Sequence, residues 1–168
     1  MRKWFILGGS LSLTTLADQA SKNWISANLE IYESVQPLPP LAPFFQFTRS
    51  SNTGAAFGIL PMAGDVFLVI ALLIIAGLLW YFREVPADAG LAPVAIGLVI
   101  GGAAGNVLDR LQHGYVVDFI HYEIPNVISN VSNLADHAIV FGVLLVIGES
   151  FWREFRDRRI QDGADRPE

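Results

Sequence analysis

Residues Val66 to Phe82 read VFLVIALLIIAGLLWYF. No charge interrupts them, and a helix built from them has no polar face to offer water. A helix that crosses the hydrocarbon core of a bilayer needs about 20 residues of this kind. Three further apolar stretches lie on either side. Trp4 to Ala17 is free of charge and is closed by Asp18 and Lys22; Leu91 to Leu108 is rich in small residues, with Asn106 near its end. Leu134 to Gly148 is apolar apart from Asp136 and His137 at its start. The pattern predicts an all-α membrane protein, a bundle of four transmembrane helices over about 4–21, 65–82, 91–108 and 133–150. They form one domain over 1–168 that ends in a charged tail, 152–168.

Composition agrees. Of 168 residues, 52% are hydrophobic and 16% charged, against roughly 25% charged in an ordinary soluble domain. Mean hydropathy is +0.44. The net charge of −5 repels phosphate and argues against nucleic acid as a partner. The absence of cysteine excludes a disulfide scaffold, a thiol nucleophile and a zinc ribbon. Arg2-Lys3 before a short apolar run also resembles a secretory signal, but no A-x-A cleavage site follows it.

Lysine and arginine set the expected orientation. Four spans put Arg2, Lys3, Arg83, Arg153, Arg156, Arg158, Arg159 and Arg166 on one side and only Lys22, Arg49 and Arg110 on the other. Both termini are therefore expected in the cytoplasm. The loops at about 23–64 and 109–132 are expected outside. In the first outer loop Phe44 to Thr48 has the character of a strand and Asn52-Thr53-Gly54 that of a turn before Ala55 to Gly58, so a small amphipathic sheet at the membrane surface is expected.

Ionisable groups at membrane depth are costly and point to function. Asp18 and Lys22 stand at i and i+4, the spacing of an ion pair on one helix face, and are expected to be structural. Asp109 beside Arg110, after the small residues Gly101 to Gly105, suggests an ionised cap on a tightly packed helix. Asp118 and Asp136 have no cation beside them. Two carboxylates brought together from facing segments can share one proton, the ionised one activating water while the protonated one polarises a carbonyl. The same pair would also serve as a proton relay in a small transporter or assembly factor. His113, His121 and His137 match no metal-ligand spacing, and no G-x-S-x-G elbow accompanies Ser129 or Ser132, the latter standing where a helix N-cap is expected.

Five blocks occur in order: Asp18 to Lys22 (DQASK), Asn52 to Phe57 (NTGAAF), Gly101 to Arg110 (GGAAGNVLDR), Val116 to Phe119 (VVDF) and Asn133 to Asp136 (NLAD). Together they resemble the motifs of bacterial lipoprotein signal peptidase, signal peptidase II, over about 15–140. The resemblance implies an intramembrane aspartic endopeptidase of the bacterial cytoplasmic (inner) membrane, working near its outer face without metal or cofactor. Such enzymes act on diacylglyceryl-prolipoproteins among the membrane lipids, cutting before the lipid-modified cysteine, and peptide-like inhibitors such as globomycin occupy their site. Asp118 and Asp136 match the catalytic pair. Asn52, Asn106, Arg110 and Asn133 match residues that line the substrate and inhibitor site, and Asp18, Lys22 and Asp109 match supporting polar residues. Phe44 to Phe47 would belong to the β-cradle. Ser132, where phenylalanine is usual, and His137, where small residues are usual, depart from the family pattern.

Overall fold

The computed structural model describes residues 1–42, 44–54, 64–86 and 88–164. The expected Ala55 to Gly58 stretch lies outside them. Four helices and one small sheet alternate: α1 (Arg2–Asn28), β1 (Ser34–Val35), β2 (Phe45–Asn52), α2 (Gly64–Phe82), α3 (Ala92–His113), β3 (Val116–Ile124), β4 (Ile128–Ser132) and α4 (Leu134–Ala164). Among the described residues three helices are long and apolar enough to cross a membrane, namely α2, α3 and, within α4, Leu134–Arg156. The first helix is not among them, because Asp18, Gln19, Lys22 and several hydroxyl residues dilute its hydropathy. Yet Asp18 and Lys22 are fully buried, so these charges face protein. The tail expected after 152 simply continues α4 to Ala164.

Packing centres on α3, whose small residues admit backbones on two sides. Gly97, Gly101 and Gly105 follow one another at i+4 and face α1; a Cβ on Gly101 would stand 2.7 Å from the Leu11 carbonyl oxygen. Gly102 meets Ala135 and Ile139 of α4, and Gly142 of α4 meets the Ala95 carbonyl. Such close approach lets polar side chains bond across helices in place of the hydrophobic drive that lipid cannot supply. Accordingly the Ser10 hydroxyl donates to the Val94 carbonyl and the Thr15 hydroxyl to the Gly101 carbonyl, both at 3.0 Å. The second helix meets this bundle along a single stripe that includes Ile75, Leu78, Leu79 and Phe82. Most of its other large apolar side chains, among them Leu73 and Trp80, are exposed. Lys3 donates to the carbonyls of Phe82, Arg83 and Val85, so the start of α1 closes the C-terminal end of α2.

The sheet is antiparallel in the order β1-β2-β3-β4. Only β2 falls where a strand was expected. Half of the sheet comes from β3 and β4, in the loop that the sequence left without structure. Gly114, at φ 78°, closes α3 in a left-handed conformation that strains any residue with a Cβ, and it turns the chain straight into β3. Asn126 makes the corresponding turn of the β3–β4 hairpin at φ 62°. Phe119 and Ile120 of β3 pack with Ile25 and Leu29 at the end of α1, with Phe45 and Phe47 of β2 against them. That contact seats the sheet on one end of the bundle. It also brings Asp118 opposite Ser50 of β2, close to the start of α4.

Candidate active site

The last two turns of α3, the end of β2, strand β3 and the first turn of α4 converge on one polar cluster. Asp118, almost fully buried, accepts at both oxygens: from Asn133 Nδ2 at 2.6 Å and from Asn52 Nδ2 at 2.9 Å. Asp136 accepts from Asn106 Nδ2 at 2.8 Å. No Lys or Arg forms an ion pair with either carboxylate among the described residues. Burial pushes the Asp118 carboxyl up from 3.8 to about 7, and the neighbouring Asp136 pushes the same way. The amides of Asn52 and Asn133 and the charge on Lys22 pull it down, but less strongly.

Asn133 does three things at once. Its Oδ1 accepts from the Asp136 backbone N–H at 2.9 Å, which caps α4. Its Nδ2 reaches Asp118 and, at 3.2 Å, Asn106 Oδ1. The cap is thus Asn133 and not Ser132, whose hydroxyl donates instead to the Ile120 carbonyl at 3.4 Å. A second orphan donor of the same helix end, Ala135 N–H, is satisfied from across the bundle by Asp18 Oδ1 at 2.9 Å.

Beneath this lies an ion cluster. The three donors of the Lys22 ammonium go to Asp18 at 2.8 Å, Asp109 at 2.9 Å and Asn106 Oδ1 at 2.9 Å. Asp109 also accepts from the Val117 N–H at 3.0 Å and from Gln19 Nε2 at 2.7 Å. The expected Asp109–Arg110 cap does not form, because adjacent residues on a helix point in different directions. Asp109 takes its cation from α1. Arg110 turns the other way, donates to the Gly54 carbonyl at 3.1 Å and lies over the Phe67 ring with a centroid distance of 6.0 Å. Its Nε is buried and makes no hydrogen bond among the described residues.

Asn52, Asn106, Arg110, Asp118 and Asp136 all open onto one cavity of about 750 Å³. Ile139, Val140, Phe141 and Leu144 of α4 give it an apolar wall. It combines a polar end holding two carboxylates with a side that suits hydrocarbon. A serine dyad of Ser129 or Ser132 with His137 does not assemble among the described residues: Ser129 meets His121 Nε2 at 2.9 Å, the Ser132 hydroxyl donates to the Ile120 carbonyl, and the His137 ring faces the Asn133 carbonyl and the Tyr122 hydroxyl.

The sequence from residue 10 to residue 152 matches the family model described as Signal peptidase (SPase) II. The chain belongs to the signal peptidase II family. Proteins named lipoprotein signal peptidase resemble it over most of its length: 44% identity over 140 residues in Shewanella amazonensis, covering 81% of each chain. The relative in Shewanella sp. strain MR-4 is 42% identical over 157 residues, 91% of this chain and 88% of that one. Two solved structures share the fold. A bacterial membrane enzyme determined by the in meso method at 2.3 Å has a TM-score of 0.72 at 30% identity, covering 95% of this chain and 90% of its own. Another, at 1.9 Å, has a TM-score of 0.70 at 33% identity, covering 82% of this chain and 87% of its own.

The site residues singled out from the sequence of this signal peptidase II chain lie on the cavity or in the ion cluster below it, except Asn133, which is buried behind the cavity wall and bonds Asp118 and Asn106. Gln19, Tyr122 and the apolar wall of α4 escaped that reading. Tyr122 stands four residues along β3 from Asp118, on the same face by the two-residue period. Val140 and Leu144 follow Asp136 at helical spacing. Both periods were available once the elements were known.

Proposed function

We propose that this protein is an intramembrane aspartic endopeptidase that removes signal peptides from prolipoproteins by cutting before the diacylglyceryl-modified cysteine, and that Asp118 and Asp136 carry the chemistry. The observation that carries the assignment is the pairing of these two carboxylates, held by amides and lacking ion-pair cations, at the polar end of a cavity with a hydrocarbon-like wall. Two carboxylates that face one cavity and repel each other do not both ionise readily at neutral pH, so the pair shares one proton. The more buried Asp118 is where the proton resides. Asp136 then takes a proton from water as the water oxygen adds to the scissile carbonyl, and Asp118 gives its proton to the carbonyl oxygen. Collapse of the tetrahedral adduct breaks the C–N bond. The leaving nitrogen takes the proton held on Asp136, and a hydroxyl proton of the adduct returns to Asp118. Neither a covalent intermediate nor a metal is needed.

Asn52, Asn133 and Asn106 orient the carboxylates, and Arg110, at the cavity, is a donor for the substrate backbone. Asp18, Lys22 and Asp109 brace the three elements that meet there. The first helix completes a four-span bundle in a single domain over 1–168, its charges turned inward. Both termini are cytoplasmic, and the sheet lies as a cradle on the outer surface of the bacterial inner membrane. The apolar wall of α4 takes the signal helix or the acyl chains, and globomycin-like peptides compete for the same cleft.

Purified protein in detergent, with no ion gradient, should cleave a lipidated lipobox peptide. The unmodified peptide should be cut far more slowly, since each buried acyl CH₂ contributes about 0.8 kcal/mol. Equal rates on both peptides would overturn the lipid-recognition reading. No cleavage of either by folded protein would overturn the protease assignment.

A further inference from the structure

Two hydrogen-bonded rungs connect β3 to α4. The inner rung is Asn133 Nδ2 to Asp118 Oδ1 at 2.6 Å, buried. The outer one joins Tyr122 and His137, four residues further along the strand and the helix, with the Tyr122 hydroxyl 3.3 Å from His137 Nε2. Their rings lie 5.9 Å apart at 54°. The rungs are tied together at Asn133, whose carbonyl accepts from His137 Nδ1 at 2.7 Å. A carbonyl cannot donate, so Nδ1 carries the hydrogen, and the neutral ring presents a lone pair at Nε2 to the tyrosine hydroxyl. The result is a closed ring: Asp118 to Asn133, Asn133 to His137, His137 to Tyr122, and back along β3 to Asp118. Both outer residues are exposed and line the mouth of the cavity that holds Asp118 and Asp136.

We infer that the Tyr122–His137 rung is a positioning device that holds the strand carrying Asp118 in register with the helix carrying Asp136. The inference rests on the protease reading above. Each carboxylate belongs to a different element, and an opening between strand and helix would separate them. The β3–β4 ladder and the inner rung already tie the strand to the very start of α4. The outer rung adds a second point, one turn of helix away, and with two points the strand can no longer pivot about Asn133. His137 is the residue that makes this possible, because a small side chain at that position reaches neither the Asn133 carbonyl nor the tyrosine.

The test is a double-mutant cycle on the full-length protein, with Tyr122→Phe, His137→Ala and the double variant assayed on a lipidated peptide in detergent. Tyr122→Phe removes one hydroxyl and keeps the ring packed on Phe45, so it reports on the bond without disturbing the fold. Each variant should lower kcat by about three- to tenfold with KM little changed, and the double variant should be no worse than the poorer single one, as coupled residues behave. The basic limb of the pH–rate profile, where Asp118 loses the proton it must donate, should also move to lower pH in all three, because a loosened strand admits water and weakens the mutual repulsion that raises this carboxyl. Lys22 of α1 and Arg110 of α3, the cations nearest the pair, are unchanged in every variant. Additive losses, a change confined to KM, or wild-type kinetics in Tyr122→Phe would overturn the inference. Cleavage by the wild-type protein in the same assay keeps the two readings separate: its absence refutes the protease assignment, whereas its presence with unaffected variants refutes only the rung.

Discussion

Asp18 and Asp109 are as deeply buried as Asp118, yet the two regions solve the problem of buried charge in opposite ways. In the lower cluster one ammonium lies between two carboxylates, and every donor of Lys22 is used. In the upper pair two carboxylates face one cavity and, among the described residues, receive only amide hydrogens. A buried ion pair that is fully bonded is inert, and removing one member of it is expensive. A buried carboxylate pair without a counter-ion keeps a proton that it can exchange. Distance from water does not separate structure from chemistry here. The presence of a cation does. Asn106 is the hinge between the regimes, accepting from Lys22 and donating to Asp136.

The comparison can be broken from either side. The largest effect is expected for Asp136→Asn, which keeps shape and hydrogen bonding but cannot hold and release a proton. Turnover of a lipidated peptide should fall by about 10³-fold or more, in keeping with loss of general acid–base catalysis, while far-UV circular dichroism stays native. Lys22→Met attacks the other region. It strands Asp18 and Asp109 without their cation and should cost about 3–5 kcal/mol of stability, read as a lowered melting temperature, with residual activity tracking the folded fraction. Asn106→Ala should touch both sides at once. It removes one donor to Asp136 and one acceptor from Lys22, for about 1–3 kcal/mol of stability and a drop in turnover smaller than that of Asp136→Asn.

The smallest effect is a pH dependence of stability. The Asp118 carboxyl rises from 3.8 to about 7 on folding. Between those values the folded protein binds more protons than the unfolded chain, so the contribution of Asp118 to stability falls as pH rises through that window and levels off above it. Melting temperatures of wild type and Asp118→Asn measured across this range should therefore diverge toward higher pH, the variant losing less. Parallel curves would contradict a raised carboxyl at this position.

The three most apolar helices were legible because an uninterrupted hydrocarbon run has few other uses. The first helix was legible as an element, but only the fold shows that its charges turn inward. Half of the sheet was hidden, since β3 and β4 bury one end of their length and leave the rest polar, which in sequence resembles a loop. Neighbouring residues misled twice. Ser132 and Asn133 are both good caps, and only the geometry selects Asn133. Asp109 and Arg110 are adjacent in the chain but diverge on the helix, and the true partner of Asp109 lies on α1. The carboxylates themselves stood out as charges in apolar frames, whereas the amides that hold them are chemically unremarkable until the chain folds.

The central claim is that Asp118 reacts and Asp109 braces. It is tested most directly by measuring turnover of a lipidated peptide and thermal unfolding side by side, in one detergent, for Asp118→Asn and Asp109→Asn. Asp118→Asn should be folded, at least as stable as wild type at neutral pH because a repulsive pair has been relieved, and inactive. Asp109→Asn should melt at lower temperature and cleave in proportion to the protein that remains folded. An Asp109→Asn variant that is inactive at full stability, beside an Asp118→Asn variant that still cleaves, would contradict the account.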